Sequence, residues 1–249
     1  MILKTVHDNF REVKDDLSAL LTYFKFSLSG NKIERLTDFG SCQHPVLLHH
    51  GYGATRRVFT LLERRLRAAG FSVFSYNLGG IFNTFNTRSI EELAHHVKEK
   101  VERLCRRHKL KKISIIGHSK GGIIGHYYIK RLGGYRRVRN LITLGTPHYG
   151  NPWALMALFS PLSLVSRSLW EMAPFSRFLR QLNRGRFPSK VRFISIYSRK
   201  DRVCFYRSAM LEIPKGSKNM KNVELKEVSH VDYLLNKKVF DLIRKELGD

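Results

Sequence analysis

The sequence predicts an α/β fold with a mostly parallel central sheet and helices on both of its faces. Short apolar, β-branched runs alternate along the chain with longer segments whose apolar residues recur at helical spacing. Two parallel strands need such a crossover between them, and the crossover helices cover the sheet. With 249 residues the chain can bury a full core without disulfides, so we expect one α/β domain.

The N-terminal part, residues 1–44, is predicted to hold an amphipathic helix over residues 9–28 and a polar linker. We expect this helix to dock on the domain, and binding to a membrane or to a partner helix is the alternative. The α/β domain then covers residues 45–249. Its predicted strands are 46–50, 71–76, 113–116, 138–144, 191–197 and 223–228.

Between these strands, apolar residues recur at helical spacing, which predicts helices. One helix is closed by Gly70, and the next begins at Ser89, with Glu92 three residues later as in a capping box. A third helix follows the strand at 113–116 and stops at Gly133 and Gly134.

The transition from strand to helix after Ile116 carries the pattern G-x-S-x-G, with Ser119 at its centre. A serine at such a sharp turn has a strained backbone, so the positions two residues away on either side must be small. Gly117 and Gly121 meet that need. The five residues alone could arise by chance, but the strand before them and the helix after them favour a nucleophile elbow.

Two further candidates follow later strands. Asp201 comes just after the strand at 191–197, and His230 just after the strand at 223–228. In a parallel sheet the carboxyl ends of the strands share one edge, where Ser119 also lies. A single Asp is usually a turn residue and a single His is usually structural, yet the order Ser, Asp, His is the one expected after such an elbow. Asp232 is the competing acid, although it is very close to His230 in sequence.

The first strand runs into His50, Gly51, Tyr52 and Gly53. A glycine-containing loop can turn a main-chain N–H toward a developing oxyanion. We expect His50 to support this loop through buried hydrogen bonds, because nothing nearby completes a set of metal ligands.

Residues 152–186 interrupt the alternation with an apolar helical insert that contains interior prolines. Such a segment is either a lid or buried core. A lid is favoured, because the insert lies between two strands of the sheet and its second half becomes basic.

The formal net charge is +25, from 45 Lys and Arg against 20 Asp and Glu. Nucleic acid is disfavoured as a partner, because the basic residues are spread along the chain and no nucleic-acid-binding motif accompanies them. A solvated basic surface is one alternative. An anionic lipid surface or an acidic substrate is the other, and the elbow favours it.

The three cysteines are scattered and odd in number, which indicates a reducing compartment. The N-terminus lacks the order of a signal peptide, since acidic residues precede its most apolar part. Residues 140–166 contain no charged residue, but glycines and prolines interrupt them, so a membrane-spanning helix is rejected. We therefore expect a cytoplasmic protein, with peripheral membrane contact as an open alternative.

Residues 45–246 resemble the α/β-hydrolase fold, and within it the bacterial lipases and esterases. The resemblance rests on H-G-Y-G at 50–53, G-H-S-K-G-G at 117–122, L-G-T-P-H-Y-G at 144–150, Asp201, and the pair Ser229-His230. Many members of this group have Gln or Met where this chain has Lys120, whose ammonium group could add positive potential beside the site.

The resemblance implies a catalytic triad of Ser119, Asp201 and His230, with backbone N–H groups of Tyr52 and Lys120 as oxyanion donors. It also implies that the insert is a lid. The loop and elbow residues beside them are predicted to support the site: His50, Gly51, Gly117, His118 and Gly121.

The predicted activity is hydrolysis of carboxylic esters, with an ester or lipid as substrate, without a cofactor and without a metal. A thioesterase or an acyltransferase would use the same triad. A non-catalytic, basic, lipid-surface-binding protein is the alternative from another class. The sequence does not decide the oligomeric state.

Overall fold

The computed structural model describes residues 44–79 and 86–248. The helix predicted over residues 9–28 lies outside these ranges. Six strands form one sheet in the order β2-β1-β3-β4-β5-β6, and every neighbouring pair is parallel. The strands are β1 (Pro45–His49), β2 (Ser72–Ser75), β3 (Ile113–His118), β4 (Val138–Leu144), β5 (Arg192–Ser198) and β6 (Met220–Leu225).

The helices of the described residues lie between these strands and after the last one. They are α1 (Thr60–Ala68), α2 (Ile90–Arg107), α3 (Lys120–Arg131), α4 (Pro152–Ala157), α5 (Leu162–Val165), α6 (Arg167–Met172), α7 (Arg177–Asn183), α8 (Tyr206–Ala209), α9 (Asp232–Leu235) and α10 (Lys237–Gly248). Short 3₁₀ helices occupy Arg56–Phe59 and Gly134–Arg136.

Both faces of the sheet are buried, as the sequence predicts. Alternate residues of a strand point to opposite faces, so Ile115 of β3 packs into one apolar cluster and Ile116 into a second. The first cluster includes α2 and α3, and the second includes α1 and α10. The prediction of a mostly parallel sheet with helices on both faces is confirmed.

Local signals explain several helix boundaries. The Ser89 side chain accepts a hydrogen bond of 3.1 Å from the Glu92 backbone N–H and so caps α2, as the capping pattern predicts. Helix α3 ends at Arg131, and Gly133 then takes a left-handed conformation with φ 78°.

The last strand is displaced from its predicted position. The sequence predicts residues 223–228, whereas β6 covers Met220–Leu225 and pairs with β5 from Phe193 to Ser198. Glu227 has a φ of 58°, a left-handed conformation that does not continue a strand. The apolar pattern misplaced this strand by three residues because no residue of β6 is fully buried.

The insert at 152–186 folds as the four short helices α4 to α7. Apolar residues of α6 and α7, such as Leu169 and Leu179, belong to the first core cluster, while several apolar residues before them are exposed. Within the described ranges, the helices are too short or too polar to cross a bilayer.

Candidate active site

Ser119 lies between β3 and α3 in a conformation that non-glycine residues seldom adopt, with φ 53° and ψ −128°. Its backbone N–H donates to the Leu144 carbonyl at 2.9 Å, and its carbonyl accepts from Thr146 Oγ1 at 3.0 Å. A Cβ atom on Gly121 would overlap the His49 carbonyl oxygen, and one on Gly117 would overlap the Gly122 backbone. These overlaps give the physical reason for the spacing of glycines around the serine.

Asp201 and His230 form a hydrogen bond of 2.9 Å between Oδ2 and Nδ1. The other carboxylate oxygen, Oδ1, accepts from the backbone N–H groups of Val203 at 2.9 Å and Cys204 at 2.7 Å. Since an ionised carboxylate can only accept, the imidazole proton is on Nδ1, which leaves Nε2 to accept a proton. Asp201 is 2% exposed, so its carboxylate is shielded from water.

Asp232, the competing acid, is engaged elsewhere. Its Oδ2 accepts from the backbone N–H of Ser229 at 3.0 Å and from the Ser229 hydroxyl at 2.7 Å. These bonds close the turn that leads into α9. The geometry therefore pairs the His230 ring with Asp201.

His118 connects the elbow to His230. Its Nε2 lies 2.9 Å from the His230 carbonyl oxygen, and the two rings have centroids 4.5 Å apart. Burial, together with the nearby His230 ring, holds the pKa of His118 well below its usual range, so its ring is neutral and donates through Nε2–H. Because His118 directly precedes Ser119, this bond fixes the backbone of His230 beside the elbow.

Gly145, at the end of β4, makes room for the acid. Its φ of 51° is left-handed, and an added Cβ would lie 2.7 Å from Asp201 Oδ2 and 2.5 Å from the Tyr233 ring. A side chain at this position would displace the carboxylate from His230.

The loop after β1 is held by its own histidine. His50 Nε2 accepts from the Leu78 backbone N–H at 3.0 Å, so the proton is on Nδ1, which lies 3.2 Å from the Gly51 carbonyl oxygen. Burial lowers the pKa of His50 to about 4, and the ring is therefore neutral at physiological pH. Asn86 Nδ2 also donates to the carbonyl oxygens of His50 and Gly51, at 3.2 Å each.

The Lys120 side chain is fully buried and does not extend toward solvent. Its ammonium donates three hydrogen bonds, to Asn86 Oδ1 at 2.8 Å and to the carbonyl oxygens of Asn86 at 3.0 Å and Arg88 at 2.7 Å. Burial lowers its pKa to about 7, against the opposing effect of Glu171 and Glu92. The sequence left open a positive potential beside the site, but the ammonium group is enclosed by protein.

No functional role was predicted for Asn86, Thr146 or Glu171, all of which bond to the site or to segments beside it. Glu171 Oε2 accepts from the Ile90 backbone N–H at 2.6 Å, and burial raises the pKa of Glu171 to about 7. The one available signal was the position of Thr146 within L-G-T-P. Asn86 and Glu171 lie in segments that match no motif.

This geometry, a strained serine between a parallel strand and a helix beside a paired His and Asp, is accompanied by sequence similarity. Residues 44–177 match the profile of the family described as alpha/beta hydrolase fold. That match covers more than half of the chain, and the protein belongs to the α/β-hydrolase fold family.

Solved structures with the same fold include a mature lipase from Bacillus licheniformis, with a TM-score of 0.68 and 14% identity, covering 88% of this chain and 96% of that one. Lipase B of Aspergillus fumigatus has a TM-score of 0.71 and 18% identity, covering 88% of this chain and 56% of that one. An esterase from Exiguobacterium antarcticum has a TM-score of 0.60 and 16% identity, covering 84% and 93%. At these identities the similarity establishes the fold.

Proposed function

We propose that the protein is a serine hydrolase of the lipase and esterase type, which cleaves carboxylic esters through an acyl-enzyme. The observation that carries the proposal is the hydrogen bond from His230 Nδ1 to the buried Asp201, beside the strained Ser119. Family membership and the similarity to structures of lipases and esterases support it.

In the first half of the reaction, Ser119 Oγ attacks the ester carbonyl carbon while His230 Nε2 takes the hydroxyl proton. Asp201 keeps the imidazole in the required tautomer and stabilises the imidazolium that forms. The tetrahedral intermediate then collapses, the bond to the alcohol breaks, and the imidazolium gives its proton to the leaving oxygen.

In the second half, water attacks the acyl-enzyme and His230 takes a proton from it. Collapse of the second intermediate releases the acid and returns the proton to Ser119. The backbone N–H groups of Tyr52 and Lys120 stabilise the oxyanion of each intermediate, and each such donor contributes about 3–4 kcal/mol. None of these steps involves a cofactor or a metal.

We further propose that the substrate is lipid-like and that the exposed part of the insert acts as its lid. Support comes from the exposed apolar side chains of the insert, among them Trp153, Met156, Phe159 and Leu164. Trp153 Nε1 donates to the carbonyl of Arg202 at 2.8 Å, which ties this part of the insert to the residue after Asp201. A thioesterase or an acyltransferase would use the same residues and is the second candidate.

The substitution Ser119→Ala tests the proposal. We expect it to abolish hydrolysis of p-nitrophenyl butyrate and stoichiometric labelling by a fluorophosphonate, while the far-UV circular dichroism stays unchanged, because an activated nucleophile has no substitute nearby. The matched control is Ser189→Ala at an exposed serine, which should keep both properties. Wild-type activity in Ser119→Ala would rule out the assignment of the nucleophile.

A further inference from the structure

Lys120 has a side chain that the proposed mechanism does not use. Its amine is completely buried, and its three protons are donated to Asn86 Oδ1, the Asn86 carbonyl and the Arg88 carbonyl. An amine whose protons are all engaged within the protein cannot also bind a substrate. Burying a charged amine is unfavourable unless it is fully hydrogen-bonded, so an apolar residue would be the simpler choice here.

Asn86 links this amine to the loop after β1 through hydrogen bonds. Its Oδ1 accepts from Lys120 Nζ, and its Nδ2 donates to the carbonyl oxygens of His50 and Gly51. The lysine thereby fixes which end of the amide faces the loop, because only Oδ1 can accept from an ammonium group.

The Gly51 carbonyl and the Tyr52 N–H belong to the same peptide unit. That unit is planar and trans, so its C=O and N–H point in opposite directions. A hydrogen bond that holds the Gly51 oxygen therefore also sets the direction of the Tyr52 N–H, which is the proposed oxyanion donor.

We propose that the Lys120 side chain is a positioning residue for the oxyanion site, acting through Asn86 on the peptide unit between Gly51 and Tyr52. The inference rests on the proposed function. Lys120 then has two roles at the site: its backbone N–H is one proposed oxyanion donor, and its side chain orients the other, the Tyr52 N–H.

The placement of the segment around Asn86 does not depend on Lys120 alone. The hydroxyls of Ser166 and Ser168 donate to the Thr87 carbonyl at 3.1 Å and 3.3 Å, and Glu171 accepts from the Ile90 N–H. The residues that make these bonds belong to the insert and not to the elbow. Loss of the Lys120 amine should therefore change the orientation of the Asn86 amide while the segment stays folded.

The test compares Lys120→Met, Asn86→Leu and the double variant with wild type, using kcat and KM for p-nitrophenyl butyrate. Oxyanion donors act mainly in the transition state, so each single substitution should lower kcat about 10- to 100-fold and change KM less than about twofold. The kcat of the double variant should be no more than about threefold below that of the more impaired single variant, because both substitutions remove the same chain of hydrogen bonds.

Lys130→Met is the matched control. Lys130 lies on the same helix, and its Nζ also donates to two backbone carbonyls, those of Asn183 and Gly185. It bonds away from the elbow, and its substitution should leave kcat within about twofold of wild type. Unchanged melting curves would separate a positioning effect from a loss of folding.

The proposal is overturned if Lys120→Met keeps kcat within about twofold of wild type, if only KM changes, or if the two losses multiply in the double variant. Should Lys120→Met not fold, Lys120→Gln takes its place under the same criteria. Failure of the proposed function is distinguishable, because wild type would then show neither hydrolysis nor labelling by the fluorophosphonate at Ser119.

Discussion

The polar groups of the candidate site and the apolar groups of the first half of the insert depart from the usual distribution of residues in opposite ways. Lys120 is 0% exposed, whereas Phe159 and Leu164 are 90% and 88% exposed. Buried charges and exposed large apolar side chains are both unfavourable for folding alone. Both places are therefore candidates for function, for different reasons: buried polar groups can orient one another at the first, and exposed apolar groups can contact an apolar ligand at the second.

The insert itself contains a second contrast. Its later part, including Leu169, Met172, Leu179 and Leu182, is buried in the first core cluster. Phe159 and Leu164 in its earlier part are exposed, but so are Trp170 and Phe175 in its later part, while Ala154 of the earlier part is buried. The interpretation as core therefore fits the buried residues of the insert, and the proposal of a lid concerns its exposed apolar residues, most of which lie in the first half.

The largest expected effect is a loss of kcat on substitution of a buried polar residue of the candidate site. Asp201→Asn should lower kcat by about four orders of magnitude, by analogy with serine proteases, because the amide favours the wrong imidazole tautomer. The control is Asp232→Asn, which loses bonds to Ser229 only and should retain most of the activity. Steady-state kinetics on a short-chain ester measures both, and the opposite ranking would assign the acid to Asp232.

The next largest effect is a difference between the two halves of the insert in how much a substitution lowers the free energy of unfolding. Leu179→Ala removes a buried side chain and should lower the free energy of unfolding by about 2–5 kcal/mol. Leu164→Ala, at an exposed position, should change it by less than about 0.5 kcal/mol. Urea titration followed by circular dichroism gives both values. Similar losses in the two variants would show that the first half is core as well.

A smaller effect concerns acyl chain length. Phe159→Ser combined with Leu164→Ser should lower kcat/KM for decanoate esters and leave acetate esters nearly unchanged, because each buried methylene contributes about 0.8 kcal/mol. The ratio of the two specificity constants is the measurement. Equal losses on both esters, with a lower melting temperature, would argue against a lid.

The last and smallest expected effect, counted per residue, is the contribution of basic residues to binding at an anionic lipid surface. The charge of +25 and the exposed apolar residues of the insert together provide the two attractions that reversible interfacial binding needs. Each basic residue near an anionic surface contributes about 1 kcal/mol, and salt should weaken the binding. Co-sedimentation with phosphatidylglycerol-containing vesicles should exceed that with zwitterionic vesicles at low salt. Equal binding to both, or tighter salt-resistant binding to DNA, would contradict this prediction.

Much of the fold could be predicted, because nearly all residues of the central strands are buried and their β-branched runs are distinctive. The least buried strand, β6, was misplaced, since half-exposed residues give a weak apolar signal. For the site, the motif around Ser119 and the chain order of Asp201 and His230 predicted the three candidate residues, and their catalytic roles stay predictions.

The surroundings of Lys120 could not be predicted. In sequence it is a charged residue in the first turn of a helix, where exposure is the usual outcome. Its burial depends on Asn86, which is 34 residues away in the chain. A hydrogen bond over such a separation leaves no periodicity or spacing to detect, and only the tertiary packing of the segment before α2 against the elbow reveals it.

The order of strands in the sheet also bears on how the protein is synthesised. From β4 onward each strand pairs with the one that precedes it in the chain, in the order β3-β4-β5-β6. A nascent chain can therefore extend its sheet at one edge as each strand leaves the ribosome, in line with the tendency of N-terminal regions to fold first. His230 follows β6, so Ser119 is synthesised well before His230. The proposed triad therefore cannot assemble until the segment after β6 has been synthesised.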